Sequence, residues 1–353
     1  MSWDSNVRKV VPYTPGEQPK AKDIVKLNTN ENPYPPSPNV VKALKSIDVN
    51  RLRLYPDPKI EELVSAIATV YGRREEEVFV GIGSDDVLAM CFMTFFNSDK
   101  PILFPDITYS FYDVWADMLR IPYKTKPLDK DFHIRVQDYL TENGGIVFPN
   151  PNAPTGAILP LSSIEEIVKG NPDSVVIIDE AYVDFGAESA LPLIDRYDNV
   201  IITQTFSKSR SMAGLRVGYA FANEKLIKYL NDVKYSFNSY TMNYPGIILG
   251  AAEVRDTENF RNNCAKIMHT RAISAARFRE MGFDLEESCS NFLFVTHESV
   301  PAKKIFDYLR ENNIFVRWFN KERIDNYLRV TIGTDEEMDK LFAALAKLLE
   351  SPA

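Results

Sequence analysis

Residues 175–182 read VVIIDEAY, and residues 200–216 read VIITQTFSKSRSMAGLR. Each stretch opens on a run of mostly β-branched, apolar residues and then turns polar. A short apolar run without polar alternation is the pattern of a strand buried on both faces, as in a parallel sheet covered by helices. Two such strands in succession place Asp179, Tyr182, Lys208 and Arg216 at strand ends or just beyond them. In an open α/β sheet, ligands bind at the carboxyl ends of the strands.

These four residue types are the ones needed to hold and use pyridoxal 5'-phosphate (PLP). A lysine amine forms a Schiff base with an aldehyde. A carboxylate keeps a pyridine nitrogen protonated, a phenol hydrogen-bonds the ring's 3'-oxygen, and an arginine grips a phosphate with two donors. An aspartate in this position can also simply cap a turn, and a lysine is ordinarily a solvated surface group. The set and its order carry the argument. Thr205 and Ser207 add hydroxyls beside Lys208, as a bound phosphate requires. Gly81-Ile82-Gly83-Ser84-Asp85 is a second phosphate element, because glycines allow close approach and a following helix presents free N–H groups. A plain strand–helix turn reads the same way. The element is not GxGxxG, and the chain has no GxxxxGK[ST], which argues against a P-loop enzyme.

Outward from these strands the same alternation continues. Ile60–Tyr71 reads as a helix stopped by Gly72, and Val78–Val80 as a strand followed by a helix capped by Ser84. Ile102–Phe104, Ile146–Phe148 and Tyr219–Phe221 read as strands, and Ser162-x-x-Glu165 as a capping box. One long helix is expected over residues 246–281. A smaller part follows, with strands at Asn291–Val295, Ile314–Trp318 and Tyr327–Ile332, a helix at Ala302–Glu311, and a last helix capped by Thr334-x-x-Glu337. Before residue 38 the chain is rich in proline and asparagine and reads as an extended arm that packs on something else.

The bulk numbers exclude other classes. At 353 residues the chain is too long for one small core. Its 45% apolar and 25% charged residues are ordinary for a globular enzyme. A net charge of −8 argues against a nucleic-acid surface. Three cysteines without CxxC spacing imply no disulfide framework, so a reducing cytoplasm is expected. MSWDSNVRKVVPYTPGEQ has no apolar stretch and is not expected to be a signal peptide. No uncharged run approaches membrane-spanning length. The three histidines show no metal spacing, so no metal is expected.

IIDEAY, SKSRSMAGLR, GIGSDD and PNAPTG together resemble the fold-type-I PLP-dependent aminotransferases. LNTNENPYPPSP (27–38) and LYPDP (54–58) narrow the resemblance to the histidinol-phosphate aminotransferase group, over about Tyr13 to Ile332. The resemblance implies an arm (1–38), a large PLP-binding domain (39–255) with a mainly parallel seven-stranded sheet, and a smaller α/β domain (256–353). It implies that Lys208 holds the cofactor and moves the substrate proton, with Asp179 on the ring nitrogen and Tyr182 on the 3'-oxygen. Tyr109 would stack on the ring. Ser84, Asp85, Thr205, Ser207 and Arg216 would hold the phosphate, and Tyr55 would reach the cofactor phosphate of a partner subunit in a homodimer with shared active sites. One departure stands out. Related chains carry asparagine before Pro-Thr-Gly, and here that position is Ala153, so either Asn152 reaches the ring or Tyr182 acts alone.

For the substrate end, the resemblance implies that Arg329 meets the acidic group, Arg317 assists and Tyr13 closes the site. Asn30 is a further candidate. Period-2 alternation puts Arg317 and Arg329 opposite the apolar faces of their strands. The expected reaction moves an amino group from histidinol phosphate to a 2-oxo acid, 2-oxoglutarate, by ping-pong kinetics. An aromatic amino-acid aminotransferase and a threonine-phosphate decarboxylase are the alternatives. A PLP-binding transcription regulator would need an added DNA-binding module, for which there is no room before Tyr13.

Overall fold

Near-continuous apolar runs need covering on both sides, and the chain supplies helices between them. In the computed structural model, residues 2–20 and 23–350 are described. Residue 1, residues 21–22 and residues 351–353, parts of the expected arm and small domain, lie outside the described residues. An extended stretch carries β1 (Val25–Lys26), then α1 (Pro38–Lys45) and α2 (Glu61–Tyr71). Strand β2 (Val78–Gly81), α3 (Gly83–Phe95), β3 (Ile102–Pro105), α4 (Tyr112–Leu119) and β4 (Tyr123–Lys126) follow. Next come β5 (Ile146–Pro149), α5 (Leu161–Gly170), β6 (Val176–Asp179), β7 (Val200–Thr205), β8 (Gly218–Phe221) and α6 (Glu224–Phe237).

These strands form one seven-stranded sheet in the order β2-β8-β7-β6-β5-β3-β4. It is parallel except for β8, which runs antiparallel to both β2 and β7. Alternate residues of the central strands feed two separate cores. Phe148, Val176, Ile178 and Ile202 face one layer, with Leu63 and Ile67 of α2 and Ile164 of α5. Val147, Ile177 and Ile201 face the other, with Val87 and Phe92 of α3, Trp115 of α4 and Leu230 of α6. Each such buried aliphatic or aromatic side chain contributes about 1.5–3 kcal/mol relative to exposure. The sheet is therefore a stiff platform whose carboxyl edge carries Asp179 and Thr205.

The remaining elements are α7 (Tyr244–Arg255), α8 (Thr257–Glu280), β9 (Phe283–Leu285), β10 (Phe292–His297), α9 (Ala302–Glu311), β11 (Ile314–Phe315), β12 (Arg317–Trp318), β13 (Leu328–Thr331) and α10 (Asp335–Glu350). A second, four-stranded antiparallel sheet has the order β12-β13-β10-β9. Val295, Val330, Ile305, Leu341 and Phe342 fill its core.

Several local expectations are corrected. The long helix over 246–281 is two helices, broken at Asp256. Its backbone leaves the helical region (φ −90, ψ 73), and its carboxylate caps α8 through Asn259 N–H. The same carboxylate takes Ser37 Oγ and Asn39 Nδ2, so the break also anchors α1. Ser84 is not the cap of α3. The helix begins at Gly83, and the Asp86 carboxylate takes the Ile82 N–H at 2.9 Å. The Ser162 box does not form, because Glu165 is held by Arg196 at 2.6 Å and Tyr197 at 2.7 Å. Ile314–Trp318 splits into two strands. β11 pairs with β1 while β12 turns to pair with β13, so Ile314, Phe315 and Val316 are buried in succession. The arm from Val25 onward packs on its own chain, with Leu27 buried in the second core. The Thr334–Glu337 box does form, at 2.8 and 3.3 Å. Strand β4 (YKTK) carried no apolar signal because it is an exposed edge strand, where lysines blunt pairing.

Candidate active site

A cleft opens at the carboxyl ends of β5, β6 and β7, where Pro149, Asp179 and Thr205 are the last strand residues. Asp179 is 4% exposed. Tyr112 donates to its Oδ2 at 3.0 Å and Thr203 to its Oδ1 at 3.4 Å. Burial pushes its carboxyl up to about 6, although these hydroxyls and the Ala181 N–H pull the other way. Each of those donors is neutral. A buried carboxylate without a charged partner is costly, and a protonated ring nitrogen would supply that partner. The pyridinium of PLP therefore fits. Sequence reasoning missed Tyr112. Its ring centre lies 5.7 Å from that of Tyr109, but Tyr109 precedes α4, so no helical spacing announced the pair.

At the other end, the backbone is shaped for close approach. Gly83 has φ +82, and a Cβ there would lie 2.5 Å from Arg216 Nη2. A Cβ on Gly218 would lie 2.2 Å from the Gly83 carbonyl carbon. Two strands and the α3 N-terminus can converge here only because both residues are glycine. Arg216 Nη2 bonds Asp85 Oδ2 at 3.0 Å, and Nη1 reaches Ser207 Oγ at 3.4 Å. Thr205 Oγ1 donates to Ser207 Oγ at 3.1 Å, and Ser84 lines the same wall. A guanidinium, three hydroxyls and a helix N-terminus make a phosphate-sized anion site. Tyr109 donates to Asp85 Oδ1 at 2.6 Å, and burial together with the Asp85 charge pushes its phenol up.

Between the two ends lies Lys208. Its Nζ donates to the Thr29 carbonyl at 3.1 Å and sits 5.8 Å from the Tyr182 ring centre. Asn32 Nδ2 donates to the Lys208 and Ser209 carbonyls, both at 3.1 Å. The Tyr182 oxygen accepts from Asn30 Nδ2 at 2.9 Å. Ala153 lines the cleft, and Asn152 does not. Both Asn152 amide hydrogens are committed, to the Ile107 carbonyl and Thr155 Oγ1 at 3.0 Å each. The expected reach of Asn152 to the ring is therefore corrected: it braces the loop instead.

The cleft widens outward toward Tyr13, Asn30, Arg317 and Arg329. Tyr13 stacks on Phe111 at 4.2 Å. Arg329 Nη2 donates to the Asn28 carbonyl at 3.0 Å, and its buried Nε has no partner. Burial pulls the Arg329 guanidinium down, and the Arg317 charge pulls the same way. Tyr55 lies elsewhere. It is 82% exposed and stacks on Tyr240 at 4.6 Å, outside the cleft of its own chain. Among the described residues no cluster of histidine, cysteine and carboxylates could hold a metal.

The family described as aminotransferase class I and II matches residues 22–345. "Histidinol-phosphate aminotransferase 1" of Hydrogenovibrio crunogenus is 52% identical over 349 residues, covering 99% of this chain and 98% of that one. "Histidinol-phosphate aminotransferase 1" of Pseudomonas aeruginosa is 50% identical over 343 residues, covering 97% and 98%. Among solved structures, histidinol-phosphate aminotransferase from Sinorhizobium meliloti, in complex with pyridoxal-5'-phosphate, superposes with a TM-score of 0.85 at 22% identity, covering 93% of this chain and 91% of that one. L-threonine-O-3-phosphate decarboxylase from Porphyromonas gingivalis reaches a TM-score of 0.79 at 22% identity, covering 93% and 100%. These two structural likenesses speak to the fold alone. The family match and the half-identical relatives go further, and by them the chain belongs to the class I and II aminotransferases.

Proposed function

We propose that the protein is a PLP-dependent aminotransferase that moves the amino group of histidinol phosphate to 2-oxoglutarate, giving imidazole-acetol phosphate and glutamate in histidine biosynthesis. The relatives at 50–52% identity are named histidinol-phosphate aminotransferase. The observation that carries the reading is the buried, cation-free carboxylate of Asp179 at one end of a cleft whose far side presents Arg317 and Arg329.

Bound PLP supplies an electron sink for the pair left behind when the donor's C–H bond breaks. Asp179 keeps the ring nitrogen protonated. Arg216, Ser84, Asp85, Thr205 and Ser207 hold the phosphate, Asp85 mainly through its backbone N–H. Tyr109 covers the ring face and Tyr182 donates to the 3'-oxygen. Lys208 Nζ, which lines the cleft, would hold the cofactor and, once free, would take the proton from the donor carbon as general base. Arg329, with Arg317 beside it, binds the donor's phosphate or the oxo acid's carboxylate. Tyr13 closes the mouth. Asn30 acts from the arm.

The assembly we propose is a homodimer with shared sites. Leu52, Leu54, Tyr55, Phe237 and Tyr240 are all exposed, and Tyr55 stacks on Tyr240, so large apolar groups here call for cover. A second copy would bring its Tyr55 to the cofactor phosphate. No helix among the described residues is long and apolar enough to cross a membrane. We take the enzyme to work in the cytoplasm, and residues 39–255 and 256–353 as its two domains.

A half-reaction tests the function. Histidinol phosphate, added to PLP-loaded protein without an oxo acid, should rapidly discharge the cofactor's visible absorbance, and phenylalanine should do so slowly. Faster discharge by phenylalanine would move the assignment to aromatic amino acids. Release of carbon dioxide from threonine phosphate would replace it with a decarboxylase.

A further inference from the structure

The amide that touches the Tyr182 phenol comes from the arm, and its orientation follows from its neighbours. The Asn30 backbone N–H donates to Thr331 Oγ1 at 3.0 Å. A hydroxyl has one hydrogen, and that of Thr331 goes to Asn30 Oδ1 at 2.9 Å. With Oδ1 turned to Thr331, Nδ2 faces Tyr182 and donates to its oxygen at 2.9 Å. The Asn30 carbonyl is held in turn by Asn291 Nδ2 at 2.9 Å. Asn30, Thr331 and Asn291 are each 2% exposed or less, so water does not compete for these groups. Asn30 also sits in the left-handed backbone region, at φ 58, which asparagine tolerates better than most residues.

The consequence falls on the phenol. Its oxygen already accepts a hydrogen bond, so its single hydrogen is left to donate into the cleft. A hydroxyl that accepts one hydrogen bond also donates the next more strongly. Ala153 in the same cleft has no donor, and the Asn152 amide is spent on Ile107 and Thr155.

We infer that Asn30, aligned by Thr331, is a positioning residue that makes the Tyr182 hydroxyl a dedicated donor toward the cofactor's ring oxygen, a task for which Ala153 offers no amide. The inference rests on the cleft being a PLP site. It also ties two regions together. Thr331 lies two residues beyond Arg329, so both side chains leave the same face of β13. The strand also binds the arm directly, through Thr331 N–H to the Leu27 carbonyl and Arg329 to the Asn28 carbonyl, both at 3.0 Å. The strand that carries the substrate-side arginine therefore also sets the hydrogen-bonding state of the phenol.

The test is the pH titration of the visible absorbance of PLP-loaded protein. A donor to the ring's 3'-oxygen stabilises the deprotonated chromophore, so weakening it raises the midpoint. The charged and titratable groups acting on the phenol are Lys208, Arg329 and Tyr112, and the variants leave all three in place. Asn30→Ala should raise the midpoint by about 0.5–1 pH unit, the worth of one hydrogen bond. Asn30→Asp should raise it further, because a carboxylate there would accept the phenol's hydrogen and withdraw it from the cleft. Thr331→Val, which keeps the shape, should give a smaller rise and secures the test where the Asn30 variants fail to fold. In Tyr182→Phe, adding Asn30→Ala should change nothing. Midpoints within about 0.2 unit of wild type in the folded variants, or an undiminished shift in the Tyr182→Phe background, would overturn the inference. Wild type that gains no visible band with PLP would instead remove the cofactor reading, and this inference with it.

Discussion

Arg317 and Arg329 stand directly opposite each other across the antiparallel pair β12 and β13. Like charges in facing cross-strand positions destabilise a sheet, and here one of them also keeps a buried Nε without a partner. An arrangement that costs stability when empty and gains when an anion arrives has the character of a receptor for phosphate or carboxylate. Arg329→Lys keeps the charge but loses the fork of donors. Its kcat/KM with histidinol phosphate should fall about 10–100-fold, the worth of a charge-assisted hydrogen bond. Arg329→Met should lose at least as much activity. It should nevertheless leave the melting temperature of the cofactor-free protein unchanged or higher, since the like-charge pair is relieved. A large fall in that temperature would mean that Arg329 is a structural group.

Asp179 gives a pH signature in the cofactor-free protein. Its folded-state value, about 6, lies above the ordinary 3.8 because of burial. The folded protein therefore holds this proton more tightly than the unfolded chain does. That stability is fully present below about pH 4 and is lost as the pH rises through about 6. Asp179→Asn has no proton to lose. The variant should gain on wild type between about pH 4 and 6 by about 1–3 kcal/mol, and the gap should then stay constant. Glu180 is also buried and raised, to about 7, but it is present in both proteins and cancels. With PLP bound the order should reverse, because the ring cation then favours the carboxylate. Unfolding midpoints measured across this pH range, with and without cofactor, check both halves.

The phosphate end depends on a missing side chain. Gly83→Ala would force an alanine to φ +82 and put its Cβ 2.5 Å from Arg216 Nη2. The backbone alone costs about 1–2 kcal/mol, and the guanidinium must move from the anion site. Retention of PLP through dialysis should weaken about tenfold or more, since each 1.4 kcal/mol is a factor of ten. Retention equal to wild type would show that Arg216 does not hold the phosphate.

How much of this was readable in the chain depends on the kind of signal. Strands β5 to β8 were legible because each is a short apolar run closed by polar residues. Residues such as Asp179, Thr205 and Lys208 are placed by those runs, and the structure brings them to one cleft with Tyr109, Arg216, Arg317 and Arg329. Hydrogen bonds between distant parts of the chain leave no periodic trace. Asn30 and Tyr182 are 152 positions apart, and Tyr112 lies 67 before Asp179. Asn152 looked like the substitute for Ala153 because it is adjacent, yet a one-residue step turned its amide to Ile107 and Thr155. Asp256 broke a helix that the apolar spacing carried straight through, because a capping carboxylate outweighs periodicity at a single position.

Tyr55 offers the sharpest test of the proposed assembly, because in one chain it has no route to the cleft. It is exposed and stacks only on Tyr240. If its hydroxyl completes the site of a second copy, a two-fold arrangement makes the exchange reciprocal. Tyr55→Ala should then weaken cofactor retention although the residue lies outside its own cleft. Subunits carrying Lys208→Ala, inactive alone, should regain activity when unfolded and refolded together with Tyr55→Ala subunits. In the mixed dimer, one site receives an intact Lys208 from one chain and an intact Tyr55 from the other, while its twin carries both lesions. Random pairing makes half of the dimers mixed, each with one sound site, so about a quarter of wild-type activity should return. Mixing that yields no more than the separate proteins would show that each site is built from a single chain, and would leave the apolar surface around Tyr55 to another purpose.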